Sequence, residues 1–179
     1  FKKSDMKDRP DRDDYYLVIS RLVTYKRVDL AVQACTKLGK KLIVAGSGPE
    51  LKNLKRIAGK NVEFILKPTD KEVANLYARA KAFIFSANED FGITPVEAMA
   101  AGCPVICYGK GGATETVIDG KTGVYHEKQT VSNLEEAIRK FEKMSFDKTD
   151  LYVRAREFSE ERFLHQIGGY IVEIGRAHV

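Results

Sequence analysis

Six short apolar runs, each followed by a polar junction or a helical spacing, constrain the fold of this chain more than any other feature. They are Tyr16-Leu-Val-Ile-Ser20, Lys41-Leu-Ile-Val-Ala45, Val62-Glu-Phe-Ile-Leu66, Ala82-Phe-Ile-Phe85, Pro104-Val-Ile-Cys107 and Gly123-Val-Tyr125. Runs this short that mostly fail to alternate apolar with polar residues read as strands buried on both faces. Helical spacing lies between them. Lys26 to Leu38 ends at Gly39, Glu50 to Ala58 stops at Gly59, and Thr69-Asp-Lys-Glu72 is a capping box that opens a helix to Ala80. A helix through Glu97 closes at Gly102, another runs from Gly112 to Ile118, and helices fill Val131 to Glu173. This alternation predicts a Rossmann-like α/β fold, a three-layer sandwich with a six-stranded parallel sheet and C-terminal helices. Ligands of such sheets bind at the carboxyl ends of the strands, so the junctions there are the places to search.

Four junctions carry chemistry. Glu89-Asp-Phe-Gly-Ile-Thr-Pro-Val-Glu97 follows the fourth strand and enters a helix that Thr94 is placed to cap, with Pro95 in its first turn. Two carboxylates therefore flank a helix start, where free N–H groups and the positive dipole end suit an anion. Phosphate on the N–H groups and hydroxyls on the carboxylates describe a nucleotide sugar. At the first strand's end, Arg21 and Lys26 bracket a turn, with Lys26 at the next helix start. A lysine there opposes the dipole unless something offsets it. A diphosphate is one such offset, and two solvated surface cations are the plain alternative. Gly46-Ser-Gly48-Pro49 resembles the opening of a dinucleotide fingerprint, but Leu51 stands where its third glycine belongs. That makes a nicotinamide oxidoreductase a poor match and leaves a tight turn as the other reading. Gly109 to Thr114 offers backbone N–H groups to a sugar or phosphate, or a turn that needs positive φ.

Other features narrow the class. A chain of 179 residues suits one domain with a full core. The net charge of +5 suits phosphorylated ligands, but charges alternate in sign along the helices and no aromatic-interleaved basic stripe points to nucleic acid. No apolar run reaches membrane-spanning length. Cys35, Cys103 and Cys107 suggest a reducing compartment, and Cys103-Pro-Val-Ile-Cys107 has the wrong spacing for zinc. Asp11-Arg-Asp13 spells a metal-binding D-x-D, yet it follows no strand. His126 reads as an exposed, inert histidine, and His165 has no visible partner. The expected organisation is a polar arm over residues 1–14, a nucleotide-sugar-binding domain over 15–173, and an artefactual tail over 174–179. The tail, with His178, resembles the translation of a sequencing adapter and breaks the helical pattern. Phe1-Lys-Lys3 opens no signal sequence and no initiator Met, so a fragment is expected.

In order, Ser20-Arg-Leu…Lys26-Arg-Val-Asp-Leu, Ala45-Gly-Ser-Gly-Pro, the run from Glu89 through Val105, and Gly111-Gly112…Glu115-Thr-Val…Gly120-Lys-Thr-Gly123 resemble the group 1 glycosyltransferases. These are retaining, family 4 enzymes of the two-Rossmann-domain GT-B architecture. The resemblance covers roughly residues 15 to 173, and its flavour is that of the mannosyltransferases of bacterial polysaccharide and lipopolysaccharide synthesis. It implies that Arg21 and Lys26 bind the donor diphosphate and Glu97 the ribose hydroxyls. It implies that Glu89 meets the transferred sugar, with Phe91, Gly92, Ile93 and Thr94 against sugar and phosphate. Gly48, Leu66 and Lys67 fall in the donor-binding loops, the last two near the base. The resemblance further implies a metal-independent donor-binding half, with GDP-mannose as donor and a saccharide or lipid-linked acceptor. The other domain of the enzyme would recognise that acceptor, in the cytoplasm or peripherally at the inner membrane face, and the fragment alone would be inactive. Late helices, from about Ser159, would cross to that domain. Ser20 stands where the family usually has Gly. Leu66 does too, which leaves the base open. A non-catalytic nucleotide- or sugar-binding module is the other reading.

Overall fold

The apolar runs form β1 (Tyr16–Ile19), β2 (Leu42–Ala45), β3 (Val62–Ile65), β4 (Ala82–Phe85), β5 (Val105–Tyr108) and β6 (Gly123–His126) in a computed structural model. It describes the backbone of residues 12–177 and the side chains of residues 12–171. The expected arm up to residue 11 and the tail residues 178–179 lie outside the described residues. All pairings are parallel, in the order β3-β2-β1-β4-β5-β6.

Between the strands run α1 (Val28–Leu38), α2 (Leu51–Ile57), α3 (Asp70–Arg79), α4 (Ile93–Ala100) and α5 (Ala113–Thr116). After β6 come α6 (Val131–Phe141), α7 (Lys148–Arg156) and α8 (Glu160–Ala177). Successive strand residues point to opposite faces, and both faces are covered. Leu17, Phe83 and Phe85 pack with Leu76 and Tyr77 of α3, Met99 of α4 and Leu151 of α7. Tyr16, Val18 and Ile84 pack with Leu30 and Val32 of α1, Leu54 of α2 and Ile138 of α6. This is the expected three-layer sandwich. The Thr69 cap is present with both of its reciprocal hydrogen bonds to Glu72.

At the amino-terminal edge, Arg12 donates to the Gly102 carbonyl at 2.7 Å and Asp13 pairs with Arg79 at 2.7 Å. Asp14 pairs with Lys81 at 2.7 Å. These three residues, read from sequence as arm, dock on the body, and the Asp13 carboxylate of the D-x-D is taken by a guanidinium. At the other end α8 continues through residues 174–177, past the expected break. It is the least embedded element. Phe163, Leu164, Ile167, Tyr170 and Ile171 are all exposed.

The β2–α2 loop is folded against the β1 loop. Leu22 N donates to Ser47 O at 2.9 Å, and Glu50 N donates to Leu22 O at 3.0 Å. The glycines of Gly46-Ser-Gly48 serve that contact. Gly46 has φ of 140°, and a Cβ there would overlap the Ser20 carbonyl, while one on Gly48 would overlap that of Leu22. Gly39, at φ 65°, has no atom within 4 Å of an added Cβ. Gly39→Ala is therefore expected to cost only the left-handed backbone, about 1–2 kcal/mol. Gly46→Ala is expected to cost more than that, because backbone must move. Urea denaturation of both variants checks this ranking, and a Gly46→Ala midpoint no lower than that of Gly39→Ala contradicts it.

Candidate functional site

The strand order reverses between β1 and β4, the point where adjacent loops turn away from each other and open a crevice. Ser20, Arg21 and Lys26 line it from the β1 side, and Ser86 and Thr94 from the β4 side. Arg21 and Thr94 also line the groove that continues past Gly46, Gly48, Pro49 and Lys67.

After β1 the chain makes a 3-10 turn, Thr24–Lys26, before α1 begins. Arg27, at φ 51°, is the N-cap of α1, and its guanidinium meets Asp29 through two contacts of 3.1 Å. Lys26 thus lies two residues ahead of the helix and not at its start, as its sequence context implied. Asp29 is the acidic residue in the first turn. The charge of Lys26 is met by the Glu89 carboxylate, and each of these side chains is 20% exposed. The offset that the lysine requires is therefore supplied from within the chain, by the acid of a different junction.

Gly92, at φ 74°, is the N-cap of α4, with no side-chain cap bond. Thr94 falls inside the first turn instead of capping it. The helix begins earlier because only the glycine accepts the left-handed turn at its entry. Pro95 then occupies the third helical position, where a missing N–H costs nothing. Of the two readings of the Gly109–Thr114 stretch, N–H groups for a ligand or a turn needing positive φ, the second is seen at Gly111, with φ of 67°. Gly112 N donates to Glu89 O at 2.7 Å, so that turn buttresses the acid-bearing loop. Phe91 is 43% exposed and Ile93 63%. The Phe91 ring meets Phe158 edge-on, 5.7 Å between centroids.

Glu97 sits one turn further into α4 and faces a separate hollow lined by Ile93, Tyr152, Arg156 and Phe158. Burial raises its carboxyl above the ordinary range, opposed by a hydrogen bond from the Tyr77 hydroxyl at 3.3 Å. Leu66 is exposed just after β3, and Lys67 follows it with φ of 51°. The fold thus gathers Arg21, Lys26, Glu89 and Thr94 at one crevice, with Gly48 and Lys67 along its extension, while Glu97 faces the separate hollow against α7.

Sequence reading missed Ser86 and Tyr77, neither of which stands in a recognisable motif. It also misjudged His126, which is 1% exposed and hydrogen-bonded at both ring nitrogens. A histidine closing an apolar run was the available signal. His165 is exposed on α8. All three cysteines are buried, and burial pushes Cys35 and Cys103 up to about 12. Among the described residues no group of three or more His, Cys, Asp or Glu side chains is arranged to hold a metal. No described helix is long and apolar enough to cross a membrane.

The sequence pattern of the family described as glycosyl transferases group 1 matches residues 2–162. The chain is 31% identical over 156 residues to the GDP-mannose-dependent alpha-(1-6)-phosphatidylinositol monomannoside mannosyltransferase of Mycolicibacterium smegmatis, a match covering 76% of this chain and 41% of that protein. It is 30% identical to the human alpha-1,3/1,6-mannosyltransferase ALG2, over 88% of this chain and 45% of that one. The chain therefore spans less than half the length of these relatives. Among solved structures, the lipopolysaccharide outer core galactosyltransferase WaaB superposes with a TM-score of 0.78 at 15% identity, over 93% of this chain and 50% of that chain. HepE from Anabaena, in complex with UDP and glucose, gives 0.72 at 21% identity, over 90% and 49%. These two show a shared fold.

The half-buried Glu97 carboxyl has a stability consequence. Its proton is held more tightly in the folded than in the unfolded chain, so stability falls as pH rises above the ordinary carboxyl range, about 4.3. Glu97→Gln removes that loss. Urea denaturation is expected to show the variant gaining on the parent as pH rises above the ordinary carboxyl value of about 4.3. A stability difference that stays constant with pH contradicts the assignment.

Proposed function

The chain belongs to the group 1 glycosyl transferases, and from that premise we propose that it is the donor-binding half of a retaining, family 4 hexosyltransferase. It would hold a nucleotide-diphosphate sugar at the β1/β4 crevice for transfer to a saccharide or lipid-linked acceptor. The observation that carries this reading is the contact of Lys26 with Glu89, which joins a cation and an acid from two junctions at the switch point.

The chemistry needs such a pair. Transfer breaks the bond between the anomeric carbon and the diphosphate oxygen and forms one to the acceptor oxygen. Negative charge grows on the leaving diphosphate and must be stabilised where it develops. Arg21, Lys26 and the free N–H groups at the start of α4 supply this charge complement without a metal ion. In a retaining reaction on one face of the sugar, the acceptor's proton passes to the departing phosphate oxygen. Glu89 and Glu97 are then binders of sugar and ribose hydroxyls, not nucleophiles. A diphosphate that engages Lys26 releases the Glu89 carboxylate to accept from the sugar.

GDP-mannose is the proposed donor, supported by the GDP-mannose dependence of the Mycolicibacterium relative. Leu66 and Lys67 lie along the route to the base. The relatives are more than twice as long as the matched region, which supports a partner domain that recognises the acceptor. The chain alone is therefore proposed to bind donor and transfer nothing. We place the whole enzyme in the cytoplasm, peripheral at the inner face of the membrane where the acceptor is lipid-linked.

Calorimetry of this chain with GDP-mannose, GDP, UDP and ADP tests the reading. Arg21→Ala and Lys26→Ala are each expected to weaken diphosphate binding about tenfold or more, the loss of one charge-assisted hydrogen bond. Binding should also weaken with added salt. Failure of every nucleotide to bind, or affinities unchanged in both variants, would overturn it.

A further inference from the structure

Beneath the crevice lies a polar network that the donor-binding roles do not use. Ser86 directly follows β4 and begins the Glu89 loop, and it is 4% exposed. Its Oγ lies 3.2 Å from Nε2 of His126, reached across β5 from the end of β6. His126 Nδ1 lies 3.0 Å from the Lys128 carbonyl oxygen. A carbonyl only accepts, so Nδ1 carries the hydrogen and donates it. In the neutral ring Nε2 is then an acceptor, and the Ser86 hydroxyl donates to it. Burial lowers the His126 pKa from its usual range, which favours that neutral form. The Ser86 carbonyl is held as well, accepting from Gln129 Nε2 at 2.7 Å. One residue is thus fixed at both of its polar oxygens by the segment that follows β6.

We propose that His126, with Gln129, is a positioning residue for the donor site, fixing Ser86 and through it the loop that carries Glu89 to the transferred sugar. The proposal rests on the donor-site reading above. The geometry has a direct consequence. Hydrogen bonds from His126 and Gln129 hold the base of the loop from Ser86 to Gly92, and Gly112 N holds Glu89 O further along, while the Glu89 carboxylate meets Lys26 and the Phe91 ring meets Phe158. Releasing the base loosens the loop that sets the Glu89 carboxylate against Lys26, with Gly112 still holding Glu89 O, while Arg21 and Lys26 stay on the β1 side. Loss of His126 should therefore fall on the sugar and spare the diphosphate. Ser86 lines the crevice, and its hydroxyl proton is committed to His126.

The test separates positioning from mere support of the fold. Calorimetry on this chain measures the affinity gain of GDP-mannose over GDP, and of UDP-glucose over UDP, alongside urea denaturation. His126→Phe leaves a buried hydroxyl unpaired and is expected to lower stability and to erase most of that gain, about tenfold, with diphosphate affinity kept. His126→Gln, whose carbonyl can accept from Ser86, is expected to restore the gain. The double variant Ser86→Ala with His126→Phe removes both partners, and is expected to recover stability but not the gain. A double variant that recovers both, or a His126→Phe variant that keeps the gain, would overturn the proposal alone. A parent chain that binds none of the four ligands overturns the donor-site reading, and this inference with it.

Discussion

The parallel pairing of β1 with β4 is the contact on which the candidate site depends. Tyr16 stands beside Ala82 and Leu17 beside Phe83, although β2, β3 and three helices separate them in sequence. That register sets the loops after the two strands side by side, and they diverge because β2 lies to one side and β5 to the other. The pairing is stabilised from both faces, by the α3, α4 and α7 layer under Leu17 and Phe83 and by the α1 and α6 layer under Tyr16 and Ile84. Glycines in the next loop let it lie against the β1 loop with no side chain between them. The Lys26–Glu89 ion pair is the consequence that matters most for chemistry, since neither residue is near the other in sequence.

Much of this was legible in the chain. The apolar runs gave six strands within a residue or two of their observed ends; strands buried on both faces leave a continuous apolar signature, and β3, an edge strand with Glu63 exposed, departs from it. Thr69 and Glu72 gave a helix start because both halves of a capping box lie within four residues. The misreadings share one cause, which is contact between distant segments. Thr94 has the chemistry of a cap, but the chain turns at Gly92 to meet the Gly109–Gly112 turn, and the helix starts there. Lys26 looked as if it faced a helix dipole, yet a left-handed Arg27 and Asp29 intervene and Glu89 supplies its counter-charge. His126 looked exposed because nothing local shows that Ser86 lies across the sheet. Residue types were readable, whereas partners needed the sheet order.

The arrangement also explains how a ligand can compete for groups that are already paired. Lys26 and Glu89 are only partly buried, and exposed or half-exposed ion pairs contribute little net stability. Exchange of the carboxylate for a phosphate, and of the ammonium for a sugar hydroxyl, replaces each lost contact with a new one. On the proposed reading the diphosphate and the sugar would be recognised together, since either alone would leave one half of the pair unmet. Glu97 follows a related logic. Its burial disfavours its charge in the folded chain, and ribose hydroxyls donating to it would offset that cost. On this account the site holds polar groups in positions that the fold alone does not favour, as binding sites commonly do.

The central claim is that the β1/β4 crevice is where a nucleotide sugar binds. Backbone amide chemical-shift mapping of the isotope-labelled chain during titration with GDP-mannose tests it most directly. The account predicts perturbations concentrated at residues 20–26, 46–48, 67 and 86–97, with saturable dependence on ligand. Perturbations confined to α7 and α8, or spread over the basic surface of α2 without saturation, would contradict it.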